Sequence, residues 1–478
     1  MDVIMNVTSL REKYFGTKRF YLSVLSIALP IMVQNGMTNV VSLLDNIMVG
    51  RLGTDPMSGV SIIGNLMFVY IMVCFGAVSG PGIFCAQFFG KGDHKGVAEC
   101  FRAKLYIVGI MLLLFVVLML TCGDKLINLY LHDSGDGIGS IPDTFAAAKT
   151  YLMIMLIGLP ALAISTVYAS TLRECGETML PMKAGIAAVA VDLVFNWLLI
   201  FGELGFPKLG VAGAAIATVM SRYVECLINV FWTHTHTDRV PFARHIFEKL
   251  TIRVTLLKNV VIKGLPLMMN EILWVLAMVT VTQCYSCRGL SVIAALNINS
   301  TVANVFNIVF VALGSSVAIF VGQKLGAGKI DEAKAVARKL IVFSCLACVL
   351  TSVVMASVSG VFPLMFKTEP AVRETATSLI IINAAVMPLQ AISHASYFAI
   401  RSGGKTFITF LFDSVFSWVI VVPTAYVLAH YTSLSIVSVF AVVLYTEIIK
   451  VTLAIVFLRK LNWAVKIVPG ADDTVPAD

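Results

Sequence analysis

The sequence contains twelve apolar stretches, each long enough to cross a lipid bilayer as a helix. A helix needs about 20 mostly apolar residues to span the roughly 30 Å hydrocarbon layer. Hydrophobic residues make up 58% of the 478 positions, charged residues only 13%, and the mean hydropathy is +0.90. Such a chain has too few polar side chains to cover a water-exposed surface. We therefore predict an all-α polytopic membrane protein, with transmembrane helices at about 21–49, 57–83, 103–122, 147–171, 182–202, 210–232, 257–285, 290–321, 339–361, 376–400, 407–428 and 434–458.

The remaining composition excludes several classes of protein. The 35 Lys and Arg residues lie between the apolar blocks and form no basic stripe with interleaved aromatic residues, so we predict no nucleic-acid partner. The ten cysteines lie mostly inside apolar runs, where packing is more common than metal binding, and we predict no cofactor. The sequence lacks the HExxH and GxSxG motifs of intramembrane enzymes, so we predict that it is not an enzyme.

The positive charges alternate between the segments that connect the spans. The N-terminal tail, every second connecting segment and the C-terminus hold 26 of the Lys and Arg residues, while the other connecting segments hold seven. Because short loops rich in Lys and Arg stay in the cytoplasm, we predict that both termini are cytoplasmic and that the protein lies in the cell membrane. The first apolar stretch lacks a small-residue cleavage site, so we expect it to be retained.

The second half of the sequence repeats the first. Ordered blocks match at an offset of 236 residues, and offsets of 228 and 221 continue the match towards the C-terminus. Matches of Pro, Gln, Arg and Asp rarely arise by chance in so apolar a chain. The matched pairs include Pro30 and Pro266, Gln87 and Gln323, Gly90 and Gly326, Gly92 and Gly328, Pro160 and Pro388, Arg173 and Arg401, Gly176 and Gly404, and Asp192 and Asp413.

This repeat predicts two six-helix lobes in the same orientation, related by a pseudo-twofold axis along the membrane normal. Duplicated lobes are typical of transporters that bind their substrate near the bilayer midplane and work by alternating access. We expect a monomer that contacts membrane lipid. The predicted segments are a cytoplasmic tail at 1–20, an N-terminal lobe at 21–232, a cytoplasmic linker at 233–256, a C-terminal lobe at 257–458 and a cytoplasmic tail at 459–478.

Four prolines lie inside predicted spans. Each proline removes one backbone hydrogen bond of its helix, so each position marks either a static bend or a hinge of the transport cycle. The candidate hinges are Pro30, Pro160, Pro266 and Pro388.

Charged residues inside apolar spans need partners or a function, because a charge at the bilayer centre costs at least about 2.5–3.5 kcal/mol. Arg222 with Glu225, and Glu447 with Lys450, are spaced i,i+3 on a helix, so we predict that each pair neutralises itself. His394 is isolated in the tenth span, where a packing role and a proton-carrying role both stay open.

Acidic residues without a cation within one helical turn are the candidates for ion binding. In the first half these are Asp45 and Asp192, and Asn196 follows Asp192 by one turn on the same helix face. With Thr218 of the sixth span, we predict that they converge in the outer half of the N-terminal lobe. Carboxylate, amide and hydroxyl oxygens suit Na⁺, and a desolvated carboxyl group can carry a proton. A hydrogen-bonded packing cluster is the alternative.

In the second half, the unpaired acids are Glu271 and Asp413. Glu271 lies in the middle of the seventh span, next to Asn270. We predict Glu271 as the corresponding binding residue of the C-terminal lobe.

Six stretches of the sequence carry a resemblance to a known family. They are LPIMVQN and LLDNIMVGRLG in the first span, the GxxxxQxxGxG pattern from Gly82 to Gly92, FNWLLIFGELGFPKLGVAGAAIATVMSR in spans five and six, VGQKLGAG after span eight, and IRSGGKT after span ten. From about residue 20 to 465 the chain resembles the multidrug and toxic compound extrusion (MATE) family. The resemblance implies a twelve-helix antiporter that expels amphipathic, often cationic compounds in exchange for Na⁺ or H⁺.

The resemblance also bears on the candidate site. Asp45 matches the family's acidic residue at the end of span one, and Thr218 lies in the GAAIAT segment that is similar to the family's span-six contribution. Some members have Asn and then Asp where this chain has Asp192 and Asn196. The family's span-seven Glu is expected at the place of Trp274, one turn after Glu271, and span ten has no Asp, so we weight the N-terminal site above the C-terminal one.

Each alternative function would require residues or domains other than those of an antiporter. A lipid-linked oligosaccharide flippase of the same broad superfamily is expected to line its cavity with many Arg and Lys, and the spans here hold few. A primary pump needs a nucleotide-binding domain, which a separate chain would have to supply. A channel stays open as an alternative, as does the choice between Na⁺ and H⁺.

Overall fold

The structure of the chain is a computed structural model, which describes residues 12–131, 140–366 and 368–469. Residues 1–11 and 470–478, which belong to the predicted tails, lie outside the described residues. Every candidate site residue is described.

Twelve long apolar helices make up most of the described chain, and β-strands are absent from the described ranges. This confirms the predicted all-α class and the predicted number of spans. An α-helix pairs its own backbone donors and acceptors, which lipid cannot do, so each apolar stretch folds as one helix. The helices are α1 (Lys18–Gly50), α2 (Thr54–Lys91), α3 (His94–Asn128), α4 (Ile141–Glu174), α5 (Met179–Phe201), α6 (Val211–Thr235), α7 (Val254–Ser286), α8 (Leu290–Gly326), α9 (Ile330–Val358), α10 (Pro370–Ser402), α11 (Thr406–Tyr431) and α12 (Ile436–Lys460).

Several helices are longer than the apolar stretches that predicted them. Examples are α2, which continues to Lys91 instead of ending at residue 83, α3, which begins at His94 instead of residue 103, and α9, which begins at Ile330 instead of residue 339. Hydropathy detects only the part of a helix that contacts lipid, while the hydrogen-bonded backbone continues into polar residues. The tight turn between α2 and α3 uses Gly92 at φ +81°, and its repeat partner Gly328 takes φ +77°. Such positive φ values favour glycine, because it has no Cβ atom that would clash with the backbone.

Helix α11 departs from regular α-helical geometry in its middle. Residues Leu411–Val415 and Ser417–Val421 form two π-helical segments. A π-helical turn contains an extra residue and often occurs at functional sites. Asp413 lies in the first of these segments, so the irregularity coincides with one of the intramembrane acids.

The described chain divides into two compact units. Unit A contains residues 12–32, 83–93 and 259–469, and unit B contains 33–82 and 94–258, apart from the short segments that are not described. The predicted N-terminal lobe differs from unit B because its segments before residue 33 and from 83 to 93 belong to unit A. Two of the boundaries therefore fall inside helices, between residues 32 and 33 of α1 just after Pro30, and between residues 82 and 83 of α2 just after Pro81.

The chain after α12 packs as an extended segment within unit A. The buried side chain of Gln87 donates from Nε2 to the carbonyl oxygens of Ser402 (2.9 Å) and Val465 (3.1 Å). Its Oε1 accepts from the backbone N–H of Ile467 (2.8 Å). Trp463 is 3% exposed. One side chain of α2 therefore ties the C-terminal segment to the end of α10.

Candidate functional site

Three helices of unit B bring polar side chains together inside the membrane-spanning region. Asn196 of α5 donates both N–H groups of its amide, one to Asp45 Oδ1 of α1 at 2.7 Å and one to Asp192 Oδ2 at 3.1 Å. Thr218 of α6 is a side-chain neighbour of Asp192. We refer to these four residues as the Asp45 cluster. The structure thus places together all four residues that the sequence predicted to converge.

An apolar layer borders the Asp45 cluster one helical turn away. Val49 follows Asp45 by four residues, Ile200 follows Asn196 by four, and Ala214 precedes Thr218 by four. These three apolar residues are buried against one another in one hydrophobic cluster. Because side chains four residues apart share a helix face, the same faces of α1, α5 and α6 supply the polar layer and the apolar layer.

Two residues that border the Asp45 cluster were missed by the sequence prediction. Tyr151 of α4 packs against the apolar layer and neighbours Thr218 and Asp45. Ser221 of α6 neighbours Asp192. Its spacing of three residues from Thr218 placed it on the same helix face, and that signal was available in the sequence. Nothing in the local sequence around Tyr151 indicated its position.

Arg222 neighbours the Asp45 cluster and is shared between that cluster and Glu225. Arg222 interacts electrostatically with Asp45 and Asp192. Its guanidinium also donates to Glu225 at 3.4 Å, which confirms the predicted i,i+3 pair. The cluster therefore contains two acids, and the charge of Arg222 is shared with a third.

Two oxygen atoms of the cluster are buried and have no hydrogen-bond partner among the described residues. These are Asp192 Oδ1 and Asn196 Oδ1, on side chains of residues that are 3% and 1% exposed. A buried acceptor without a partner costs about 1–3 kcal/mol, and in a native structure it often marks an ion or a water site. Two adjacent carboxyl groups and a free amide oxygen form a donor set that suits Na⁺, or a proton on one carboxyl group. The residues thus fit the predicted coupling ion.

A second polar cluster lies in unit A. Lys450 of α12 donates from Nζ to Asp413 Oδ1 at 2.5 Å, and Asn270 of α7 donates from Nδ2 to Asp413 Oδ2 at 3.0 Å. Ser414 donates to Asn270 Oδ1 at 2.8 Å. We refer to these four residues as the Asp413 cluster.

This arrangement corrects the predicted pairing of Glu447 with Lys450. Lys450 forms its ion pair with Asp413, and Glu447 has no ion pair within 4.0 Å among the described residues. The i,i+3 spacing allowed the predicted pair, but packing of α12 against α11 offered a closer carboxylate. Asp413 is consequently not an unpaired acid.

Glu271 lies next to Asn270 on α7 and interacts electrostatically with Arg401 and Asp413. It therefore belongs to the surroundings of the Asp413 cluster, where the sequence predicted a second binding residue. Its role in binding stays a prediction.

His394 packs among aromatic rings of unit A. Its ring centroid lies 5.2 Å from that of Phe310 and 4.9 Å from that of Phe398, in edge-to-face geometry. Its Nε2 is buried and has no hydrogen-bond partner among the described residues. The contacts favour the packing role over the proton-carrying role.

The four candidate hinge prolines all lie inside helices that continue on both sides. Pro30 lies in α1, Pro160 in α4, Pro266 in α7 and Pro388 in α10. Pro81 of α2 and Pro423 of α11 also lie inside helices and were not predicted as hinges. The part of the four candidate hinges in a conformational change stays a prediction.

Comparisons with known proteins agree with this architecture. The MatE family model matches residues 30–198 and 266–427, so each half of the internal repeat carries one match. The probable multidrug resistance protein YoeA of Bacillus subtilis is 26% identical over 418 residues, covering 86% of this chain and 87% of its own. The probable multidrug resistance protein NorM of Thermotoga maritima is 25% identical over 462 residues, covering 92% of each chain.

Solved structures share the fold across nearly the whole chain. The Vibrio cholerae MATE transporter VcmN superposes with a TM-score of 0.83 at 18% identity, covering 93% of this chain and 98% of its own. A MATE transporter crystallised in complex with MaL6 superposes with a TM-score of 0.82 at 17% identity, with the same coverage. At such identities the likeness shows that the fold is shared.

Proposed function

This chain belongs to the MatE family of transporters, and from that premise we propose that it is a secondary active multidrug antiporter. It exports amphipathic or cationic compounds by alternating access and takes up Na⁺ or H⁺ in exchange. The protein is an integral membrane protein, and its described residues contain twelve helices long and apolar enough to span the membrane. In our proposal it works as a monomer in the cell membrane with both termini in the cytoplasm, because the Lys- and Arg-rich connecting segments stay on that side.

The unpaired oxygens of the Asp45 cluster are the observation that carries the coupling proposal. Asp45 and Asp192 are two carboxyl groups joined through one amide, with Asp192 Oδ1 and Asn196 Oδ1 left without partners among the described residues. A bound Na⁺ would be held by these oxygens and by Thr218, or a proton would neutralise one carboxyl group. Either occupant removes the repulsion between the two carboxylates.

Coupling requires that the ion and the drug exclude each other. A ligand shifts a conformational equilibrium only by its different affinity for the two states. A cationic drug is attracted by the same carboxylates, so ion binding at Asp45 and Asp192 lowers the affinity for the drug. Pro30 lies 15 residues before Asp45 in the same helix and next to the boundary of the two compact units, and it serves as the bend that responds to ion binding.

A flippase would need different side chains at this site. A lipid-linked pyrophosphate needs clustered cations, whereas the Asp45 cluster contains two acids, and Arg222 beside it is shared with Glu225. An acidic cluster attracts cations and repels a pyrophosphate group. We therefore favour the antiporter.

The proposal is tested by efflux of a cationic dye from proteoliposomes that contain the purified full chain. Na⁺ and pH gradients are imposed separately, which identifies the coupling ion. The variant Asp45→Asn should fold but lose gradient-driven efflux. The matched control is Asp124→Asn, which removes an exposed acid that pairs with Lys149 outside the cluster.

Two results would contradict the proposal. If efflux by the native chain responds to neither gradient, the antiport mechanism is ruled out. If the Asp45→Asn variant shows gradient-driven efflux at the native rate, the Asp45 cluster is not the coupling site. The variant Glu271→Gln in the same assay measures how much the C-terminal acid contributes.

A further inference from the structure

The two acids related by the 221-residue offset have opposite surroundings. Asp192 uses one carboxylate oxygen in a hydrogen bond and has the other buried without a partner among the described residues. Asp413 uses both oxygens, one with Lys450 and one with Asn270. The repeat therefore contains the same acid twice, once with a carboxylate oxygen that has no partner in the described part of the chain and once with both oxygens paired.

The cation that satisfies Asp413 belongs to the protein itself. The Lys450 and Asp413 side chains are 14% and 18% exposed, so water has little access to the pair. The Lys450 ammonium also lies 5.4 Å from the ring centroid of Phe412, where the aromatic face stabilises a positive charge. A desolvated ion pair with good geometry is strongly destabilised when one partner is removed.

The rest of the Asp413 cluster fixes this geometry. Ser414 donates to both the backbone oxygen and Oδ1 of Asn270, each at 2.8 Å. With its acceptor side held in this way, the Asn270 amide presents Nδ2 to Asp413. The carboxylate is thereby held between an amide on α7 and an ammonium on α12.

The acids around the Asp413 cluster have cations of the protein as neighbours. Glu271 of α7 interacts electrostatically with Arg401 of α10, and Asp413 pairs with Lys450. His394 and Tyr397 of α10 and Glu447 of α12 are further titratable neighbours of the pair. The Asp45 cluster, by contrast, has two acids and a single neighbouring Arg that is shared with Glu225.

We propose that the Lys450 ammonium is a tethered cation that permanently occupies the C-terminal counterpart of the coupling-ion site. Asp413 then binds neither Na⁺ nor a transported proton, and Lys450 determines that the chain has one coupling site, at the Asp45 cluster. This inference rests on the proposed function. It adds that the two halves of the repeat have diverged into one exchangeable and one fixed cation site.

Removing the tethered cation should open the site to a free one. Lys450→Met leaves the Asp413 carboxylate buried without its counter-ion, so a Na⁺ ion or a proton must replace the ammonium for the fold to persist. The additional change Asp413→Asn removes the buried carboxylate, so no cation is then needed to neutralise it. Both variants are made in the Asp45→Asn background, so that the N-terminal site no longer responds to cations.

The measurement is thermal unfolding of the purified full chain against NaCl, with choline chloride keeping the ionic strength constant, and against pH. We expect Asp45→Asn to unfold at a temperature that is independent of Na⁺. Asp45→Asn/Lys450→Met should be less stable at neutral pH without Na⁺, and Na⁺ or acid should raise its melting temperature. The triple variant with Asp413→Asn should lose this response.

Three outcomes would overturn the inference. The first is a Lys450→Met variant whose stability responds to Na⁺ and pH no more than its parent. The second is a Lys450→Met variant that stays unfolded under all these conditions while the triple variant folds, because no free cation then replaces the ammonium. The third is a Na⁺ response in Asp45→Asn itself that Asp413→Asn abolishes.

A second measurement covers the case in which Met is not tolerated at position 450. Asp413→Asn is introduced into the otherwise native chain, and the number of bound Na⁺ ions is counted with radioactive Na⁺. The inference expects the native number, and a decrease of one ion per chain overturns it. Failure of the proposed function is distinguishable, since that appears as gradient-driven efflux in the single variant Asp45→Asn.

Discussion

Gly90 and Gly326, which the 236-residue offset relates, each lie against the backbone of the helix that carries the other. A Cβ atom on Gly90 would overlap the backbone of Gln323, and one on Gly326 would overlap the backbone of Gln87. The ends of α2 and α8 therefore cross within unit A in a reciprocal contact. Because only glycine permits this approach, the crossing explains why both halves of the repeat have glycine at this place.

The crossing predicts that Gly90→Ala and Gly326→Ala are each destabilising by about 1–3 kcal/mol, since the added methyl group has to displace a backbone. Thermal unfolding of the purified protein checks this. Gly64→Ala is the matched control in the same helix, because its Cβ would meet no atom within 4 Å. The control should be neutral or slightly stabilising. Equal effects of the Gly64 and Gly90 substitutions would contradict the close contact.

Asn196 holds the two carboxyl groups of the Asp45 cluster through its amide. Asn196→Ala removes two charge-assisted hydrogen bonds, so we expect a loss of about 1.5–3 kcal/mol of stability for each bond when the site is empty. Cations should restore part of this loss, because they then provide the only bridge between Asp45 and Asp192. Melting temperatures with and without Na⁺, and at two pH values, measure both effects. An unchanged melting temperature would show that the amide does not support the cluster.

Lys104 is a fully buried cation on α3. Its Nζ donates to Glu174 Oε2 at 2.5 Å and to the hydroxyl groups of Ser170 and Thr171 at 3.1 Å each. Lys104→Met should cost about 3–5 kcal/mol because Glu174 loses its main counter-ion. The double variant Lys104→Met/Glu174→Gln should recover part of that stability. A double variant less stable than Lys104→Met would show that the ion pair does not account for the loss.

Gln87 anchors the C-terminal segment after α12 through hydrogen bonds. Gln87→Ala removes its hydrogen bonds to Ser402, Val465 and Ile467, so we expect faster hydrogen exchange at the Ile467 amide and easier proteolysis after α12. Gln87→Glu retains an acceptor for Ile467 but loses the amide donor, and should have an intermediate effect. Native exchange at Ile467 in Gln87→Ala would refute the assignment of this side chain as the anchor.

Pro30 is the candidate hinge closest to the Asp45 cluster in sequence. Pro30→Ala restores a backbone donor inside α1 and should stiffen the helix, so we expect slower dye efflux with retained cation binding. Pro207→Ala is the control, because Pro207 lies in the irregular segment between α5 and α6. A native efflux rate in Pro30→Ala would mean that the proline is a static feature of the helix.

Regular patterns made most of the fold predictable. Twelve apolar stretches gave twelve helices, because lipid leaves the backbone no other way to satisfy its hydrogen bonds. The spacing of Asp192 and Asn196 predicted their contact, since side chains four residues apart meet on a helix. Tyr151 escaped prediction because an aromatic residue in an apolar span carries no sign of which neighbour it packs against.

The sequence by itself determined the class of protein, the number of helices, the internal repeat and the acids that form the Asp45 cluster. Only the tertiary structure decided which cation each acid contacts. Sequence spacing assigned Lys450 to Glu447 on its own helix, but packing of α12 against α11 brought the ammonium to Asp413. Local spacing limits which side chains can meet within a helix, whereas partners on other helices depend on distances that only the packed fold sets.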